Sequence, residues 1–190
     1  MATFSIIGTG NMGKAIGGIL ADGGSDVTYV THSDVGSAPL GDVVVLAVPH
    51  PAVASITGAY GDQLAGKVVV DITNPINFET FDSLVVPAGS SFAAELQAKL
   101  PDAKVLKAFN TNFAATLASR KVGDVATTVL VAGDDDAAKK LLLDALGAGG
   151  VRALDAGSLA RAHELEAIGF LQITLAAAEK VQWTGGFAVV

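Results

Sequence analysis

The hydrophobic pattern changes period several times along the chain. Thr3–Ile7 is a short, largely apolar run. Glycines at 8, 10 and 13 follow, and then Ala15, Ile16, Ile19 and Leu20 recur at helical spacing. This reads as strand, glycine-rich turn and helix. Gly23 and Gly24 close the helix, and Asp26–Val30 is a second strand. Residues 31–41 are rich in Ser, Gly and Pro and read as loop. So short a connection is near the lower limit for a crossover, and little or no helix is expected in it. A third strand over 42–48 is apolar on both faces, as in a strand buried within a parallel sheet. A short helix over 52–60 and a strand over 67–72 come next, then an irregular stretch to residue 90. The pattern continues with a helix over 91–100, stopped by Pro101, and a strand over 103–109. A short helix over 113–118 leads to a strand over 126–132. The next helix runs from 133 to 146, with Asp134, Asp135 and Asp136 at its positive end. A strand over 151–154 and one long helix from 158 to about 183 finish the chain, apart from a glycine-containing tail.

Strands that alternate with helical stretches predict an α/β fold with a doubly wound, mostly parallel sheet. The chain reads as one domain, 1–190. In the last helix Leu159, Leu165, Ile168, Leu171, Ile173 and Leu175 spread around much of the circumference. Residues 158–190 therefore pack either on the domain or on a partner copy, and a homodimer is expected.

Composition narrows the function classes. Apolar residues make up 51% of 190, yet no run approaches the roughly 18 residues of a membrane span, so no membrane partner is expected. The first strand begins so early that no signal peptide is expected. The absence of cysteine excludes disulfides and thiol chemistry, and suits a cytoplasmic setting. A net charge of −7 argues against nucleic acid. Three separated histidines without a thiolate give no metal site.

In a doubly wound sheet, ligands sit outside the carboxyl ends of the strands. The turn Gly8, Thr9, Gly10, Asn11, Met12, Gly13 matches the dinucleotide-binding GxGxxG pattern of a Rossmann fold. There the first glycine permits a tight turn, the second lets a pyrophosphate approach, and the third lets helix and strand pack closely. The free N–H groups of the helix start then face the phosphates. The other strand ends supply Thr31, His32 and Ser33; Val48, Pro49 and His50; Thr73, Asn74 and Pro75; and Asn110. All converge on one cleft. An NAD enzyme places an acid about 20 residues past the glycines. Here that place holds Thr31, His32 and Ser33, which better suit the 2′-phosphate of NADP; the alternative is that Asp34, the nearest downstream acid, reaches the ribose. His50 and Asn110 are the candidate catalytic residues. His50 is either an acid–base group or a positioning residue beside two prolines. Asn74 and Asn110 bind either carboxamide and acceptor oxygens or their own backbone. His163 reads as structural. Trp183 and Phe187 are either a core plug or a wall of the cleft.

Several motifs together resemble one family. They are the glycine turn, the Val48-Pro49 strand end, Asp71-Ile72-Thr73-Asn74-Pro75, Lys107-Ala108-Phe109-Asn110 and Leu154-Asp155-Ala156-Gly157. The chain is similar over nearly its whole length to NADPH-dependent oxidoreductases of the coenzyme F420 type. It also resembles the cytoplasmic reductase domain of six-transmembrane ferric reductases. The resemblance implies hydride transfer between NADP(H) and a small-molecule acceptor, a deazaflavin (coenzyme F420) or a flavin. It also brings out differences. Family members carry a helix and a further strand where residues 31–41 stand, and a Ser-Arg pair on the 2′-phosphate where this chain has no arginine. Deazaflavin-using members place a histidine where Asn110 stands. A redox-sensing module that holds NADP(H) without turnover, and a reductase of small carbonyls or imines with His50 as acid, are the alternatives.

Overall fold

The computed structural model describes residues 2–190. Its main sheet contains β1 (Thr3–Ile7), β2 (Asp26–Val30), β3 (Val43–Leu46), β4 (Val68–Asp71), β5 (Lys104–Lys107), β8 (Thr128–Gly133) and β9 (Arg152–Gly157). A separate hairpin holds β6 (Lys121–Val122) and β7 (Val125–Ala126). The helices are α1 (Asn11–Asp22), α2 (His50–Tyr60), α3 (Phe92–Lys99), α4 (Ala114–Ser119), α5 (Asp136–Ala148) and α6 (Ala162–Ala177). The order across the sheet is β2-β1-β3-β4-β5-β8-β9, and the first five strands are parallel.

Alternation along the strands sorts the core into two layers. Val43 and Val45 of β3 join Phe4 and Ile6 beneath α1, α4 and α5, where Ile16, Leu20, Leu117, Leu142 and Leu146 are buried. Val44 and Leu46 join Ile7 and Val69 beneath α2 and α3, where Val53, Ile56, Tyr60 and Leu96 are buried. The apolar character of both faces of β3 follows from this double cover. The β2–β3 connection carries only a 3₁₀ turn, His32–Asp34, as its length predicts.

Four elements differ from the sequence pattern. The helix expected from 133 is α5, which begins at Asp136 because Gly133 still belongs to β8. The strand expected over 126–132 is β8, shifted to Thr128–Gly133, and Ala126 belongs to the hairpin instead. β8 runs antiparallel to β5, with Lys107 opposite Ala132. The physical reason is the route. The chain leaves β5, passes through α4 on the α1 face and then the hairpin, and returns into β8 in the opposite direction without a crossover. The last strand extends to Gly157. The long helix is a 3₁₀ turn, Leu159–Arg161, followed by α6, which stops at Ala177. Glu179 adopts φ 57 there, and the N–H groups of Glu179 and Lys180 bond the carbonyls of Ala176 and Leu175. That is a Schellman stop with glutamate where glycine is usual. Among the described residues no helix is long and apolar enough to cross a membrane.

Candidate active site

The glycine turn divides its labour as the pattern requires. Gly8 sits at φ 114, and a Cβ there would overlap the Ala47 carbonyl. A Cβ at Gly13 would overlap the carbonyl of Gly8, so α1 and the turn pack backbone to backbone. A Cβ at Gly10 would meet nothing within 4 Å. The protein leaves that space open. No side chain caps α1, and its first turn carries no acid. Its leading amides and positive dipole end are therefore available to an anion.

Two adjoining cavities lie over the strand ends. One, of about 380 Å³, runs from Gly10 past Val48, Pro49 and His50 to Thr73 and Phe78. The other, of about 460 Å³, is bounded by Phe109, Asn110, Asn112, Phe113 and Trp183. Both share Asn11, Met12, Ile72, Asn74 and Ile173 as wall. Thr9 and Pro75 flank the cleft without lining it; the Pro75 carbonyl instead accepts the N–H of Val85 at 2.7 Å. The Trp183 ring lies 4.8 Å from that of Phe113, so Trp183 is a cleft wall. Phe187 lines neither cavity; its N–H bonds buried Gln172 at 2.7 Å, which anchors the tail.

His50 opens α2 with its ring stacked on Phe78 at 6.2 Å and edge-on to Phe92 at 5.8 Å. Its Nδ1 is buried without a partner, and so is the Thr73 hydroxyl. Burial pushes the His50 pKa down; the Asp71 charge opposes this and Lys107 reinforces it. A neutral ring held this way suits a wall better than a proton donor.

Asn110 lines the second cavity with its amide nitrogen already engaged. Its Nδ2 donates to Asn74 Oδ1 at 2.9 Å and to the Leu165 carbonyl at 2.8 Å, while Asn74 Nδ2 donates to the Asn110 carbonyl at 2.9 Å. The pair latches α6 onto the ends of β4 and β5. Phe109, buried at φ 63, turns the chain into this latch. Gly169 is the point of closest approach, since a Cβ there would overlap Asn74 Oδ1. At the end of β2, the Thr31 hydroxyl bonds the Asp34 carboxylate and lies 2.9 Å from the Ser33 hydroxyl, while His32 is exposed.

Sequence reasoning missed a fully buried ion triad beneath this floor. Lys107 Nζ lies 2.8 Å from Asp71 and 2.9 Å from Glu166, with no side-chain exposure for any of the three. It also donates to the Thr73 carbonyl, and Glu166 accepts the leading N–H groups of α3 from Phe92 and Ala93. Burial pushes the Glu166 carboxyl up, against the pull of Lys107 and the Phe92 amide. The sequence does not single these charges out: Glu166 stands two residues after Glu164, and Lys107 three after Lys104. Phe78, in a stretch that reads as irregular, was missed for want of any periodic pattern.

The family model described as NADP oxidoreductase, coenzyme F420-dependent, matches residues 26–75. The F420-dependent NADP reductase of Methanocaldococcus jannaschii is 33% identical over 171 residues, covering 88% of this chain and 76% of that one. The metalloreductase STEAP3 of Rattus norvegicus is 37% identical over 128 residues, but these are only 25% of its length and 67% of this chain. A crystal structure from Arthrobacter sp. FB24, provisionally assigned as an F420-dependent NADP reductase, superimposes over the whole of both chains with a TM-score of 0.84 and 26% identity. Open glycine turn, strand-end cleft and kinship agree: the chain belongs to the coenzyme F420-dependent NADP oxidoreductase family and is an NAD(P)-dependent oxidoreductase.

Proposed function

We propose that the chain passes hydride between NADP(H) and a planar, tricyclic acceptor, a deazaflavin of the coenzyme F420 type or a flavin. The carrying observation is the pair of adjoining cavities that share one wall. One starts at the open glycine turn and the other ends at the Trp183 and Phe113 rings. When bound, the two cofactors supply the hydride donor and the hydride acceptor themselves.

The chain's residues do the rest. Gly10 and the leading amides of α1 hold the pyrophosphate. Thr31, His32 and Ser33 stand at the end of β2, on the side of the adenosine ribose. Thr73 and His50 offer two unpartnered polar atoms beside the first cavity. Met12, Ile72 and Ile173 form an apolar shared wall that excludes water where the rings meet. Asn74 and Asn110 act as positioning residues through their latch on α6. The reduced tricyclic ring would take up its one proton from solvent, so no protein acid is required, which suits a His50 whose pKa burial lowers. A carbonyl or imine reductase with His50 as acid would need the opposite.

The test is to mix the protein with NADPH and a panel of coenzyme F420, FMN, FAD and small carbonyls and imines, and follow nicotinamide absorbance. Oxidation of NADPH with a tricyclic acceptor alone is expected. Turnover confined to the carbonyls or imines would overturn the reading.

A further inference from the structure

We propose that Asp34 reads the adenosine ribose, so that this chain accepts NADH alongside NADPH. The proposal rests on the dinucleotide reading above and concerns which dinucleotide fits. The end of β2 is tied to the glycine turn. Val30 pairs with Ile7, and its carbonyl accepts the N–H of Gly8 at 3.1 Å. The Thr31–Asp34 turn therefore stands beside the phosphate site, and Asp34 follows Gly13 by about 20 residues, the spacing at which an acid meets a ribose 2′-hydroxyl.

The local chemistry favours a diol. Asp34 closes its own turn, its N–H bonding the Thr31 carbonyl at 3.0 Å. Its carboxylate accepts the Thr31 hydroxyl, which in turn lies 2.9 Å from the Ser33 hydroxyl. Ribose hydroxyls bring donors that a carboxylate accepts. A 2′-phosphate brings only acceptors and close to two negative charges at neutral pH. To donate to it, Thr31 must release Asp34. Compensating positive charge is scarce. The sequence has no lysine or arginine between Lys14 and Lys67. The Lys67 ammonium is held by the carbonyls of Leu40 and Gly41 at 3.1 and 2.9 Å. Only His32 in this turn can become cationic. A 2′-phosphate thus meets two hydroxyls and one histidine against a carboxylate, whereas the unphosphorylated ribose meets the carboxylate unopposed.

Binding titrations of NADPH and NADH to the parent and to Asp34→Asn test this without any acceptor. The asparagine keeps the shape and removes the charge of an exposed side chain. The parent is expected to bind NADH within about tenfold of NADPH. Asp34→Asn should move the affinity ratio toward NADPH by about tenfold or more, and less so at high salt. An unchanged ratio in the variant, or parent binding of NADH more than about tenfold weaker than NADPH, overturns the proposal. Failure of the parent to bind either dinucleotide overturns the reading beneath it as well.

Discussion

His50 shows how one residue's surroundings decide its chemistry. Its ring enters the cleft as its place after β3 implies, flanked by Phe78 and Phe92 and with its Nδ1 buried. Its pKa falls below the ordinary 6.5, chiefly through burial. The unfolded chain therefore binds this proton more readily than the folded one. The stabilisation is complete above pH of about 6.5 and is lost as pH falls through the lowered value. Asp42, Asp135 and Asp155 are held below their ordinary 3.8, in turn by the Thr3 N–H, by the Ala138 N–H and by the Lys139 ammonium. Their contribution is complete above pH of about 4 and is lost below it. Denaturation melts across pH should thus show a first decline below about 6.5 that His50→Phe removes, leaving the second in place. A decline unchanged in the variant would show that another group carries it. Trp183 makes a separate prediction. Trp183→Ala should lower turnover with a tricyclic acceptor about tenfold, or 1.4 kcal/mol, while NADPH affinity stays within twofold or so. Equal loss of both would mean that Trp183 only braces the fold.

The elements that hold the site are packed more tightly than the sequence pattern discloses. α6 rests on the Asn74–Asn110 latch through Gly169, and on α3 through Glu166. Gly169→Ala should cost about 1–3 kcal/mol in urea denaturation, because the added methyl must push α6 off the latch. A cost near zero would mean that α6 shifts freely. Lys107→Met removes the one cation between two buried carboxylates and should cost about 3–5 kcal/mol. A loss below about 1 kcal/mol would show that water reaches the triad. α1 was located by its helical repeat, and β1 to β5 by short runs rich in apolar residues, which in β3 and β4 are buried on both faces. The pattern did not locate the end of α6, since Glu179 closes the Schellman turn where a glycine would have signalled it. Nor did it locate the β6–β7 hairpin, whose strands have two residues each. The reversal of β8 was equally hidden, because direction depends on the path of α4 and the hairpin and leaves no mark in the apolar run.

Across the whole molecule, the legible part of the site is the part made by backbone. Gly8, Gly10 and Gly13 each have the surroundings that their spacing implies, since a missing side chain is visible in a sequence. Side-chain roles were less legible. Asn74 and Asn110 end central strands as read, but their amides bond each other and α6, a contact set by the docking of a distant helix. Asp71, Lys107 and Glu166 look unremarkable one at a time and gain meaning only when β4, β5 and α6 meet. The short second crossover keeps only a 3₁₀ turn, so the proposed ribose contact falls to Thr31, His32, Ser33 and Asp34. The central claim is that a dinucleotide lies on the glycine turn in the space above Gly10. Titration calorimetry of NADPH into the parent and into Gly10→Val tests it most directly. A Cβ at Gly10 meets nothing within 4 Å, and φ there is −71, so the variant should fold and melt as the parent does. Its valine would nonetheless occupy the place of the pyrophosphate. The account predicts NADPH binding by the parent and none detectable in a fully folded variant. Binding by folded Gly10→Val within about threefold of the parent would contradict it.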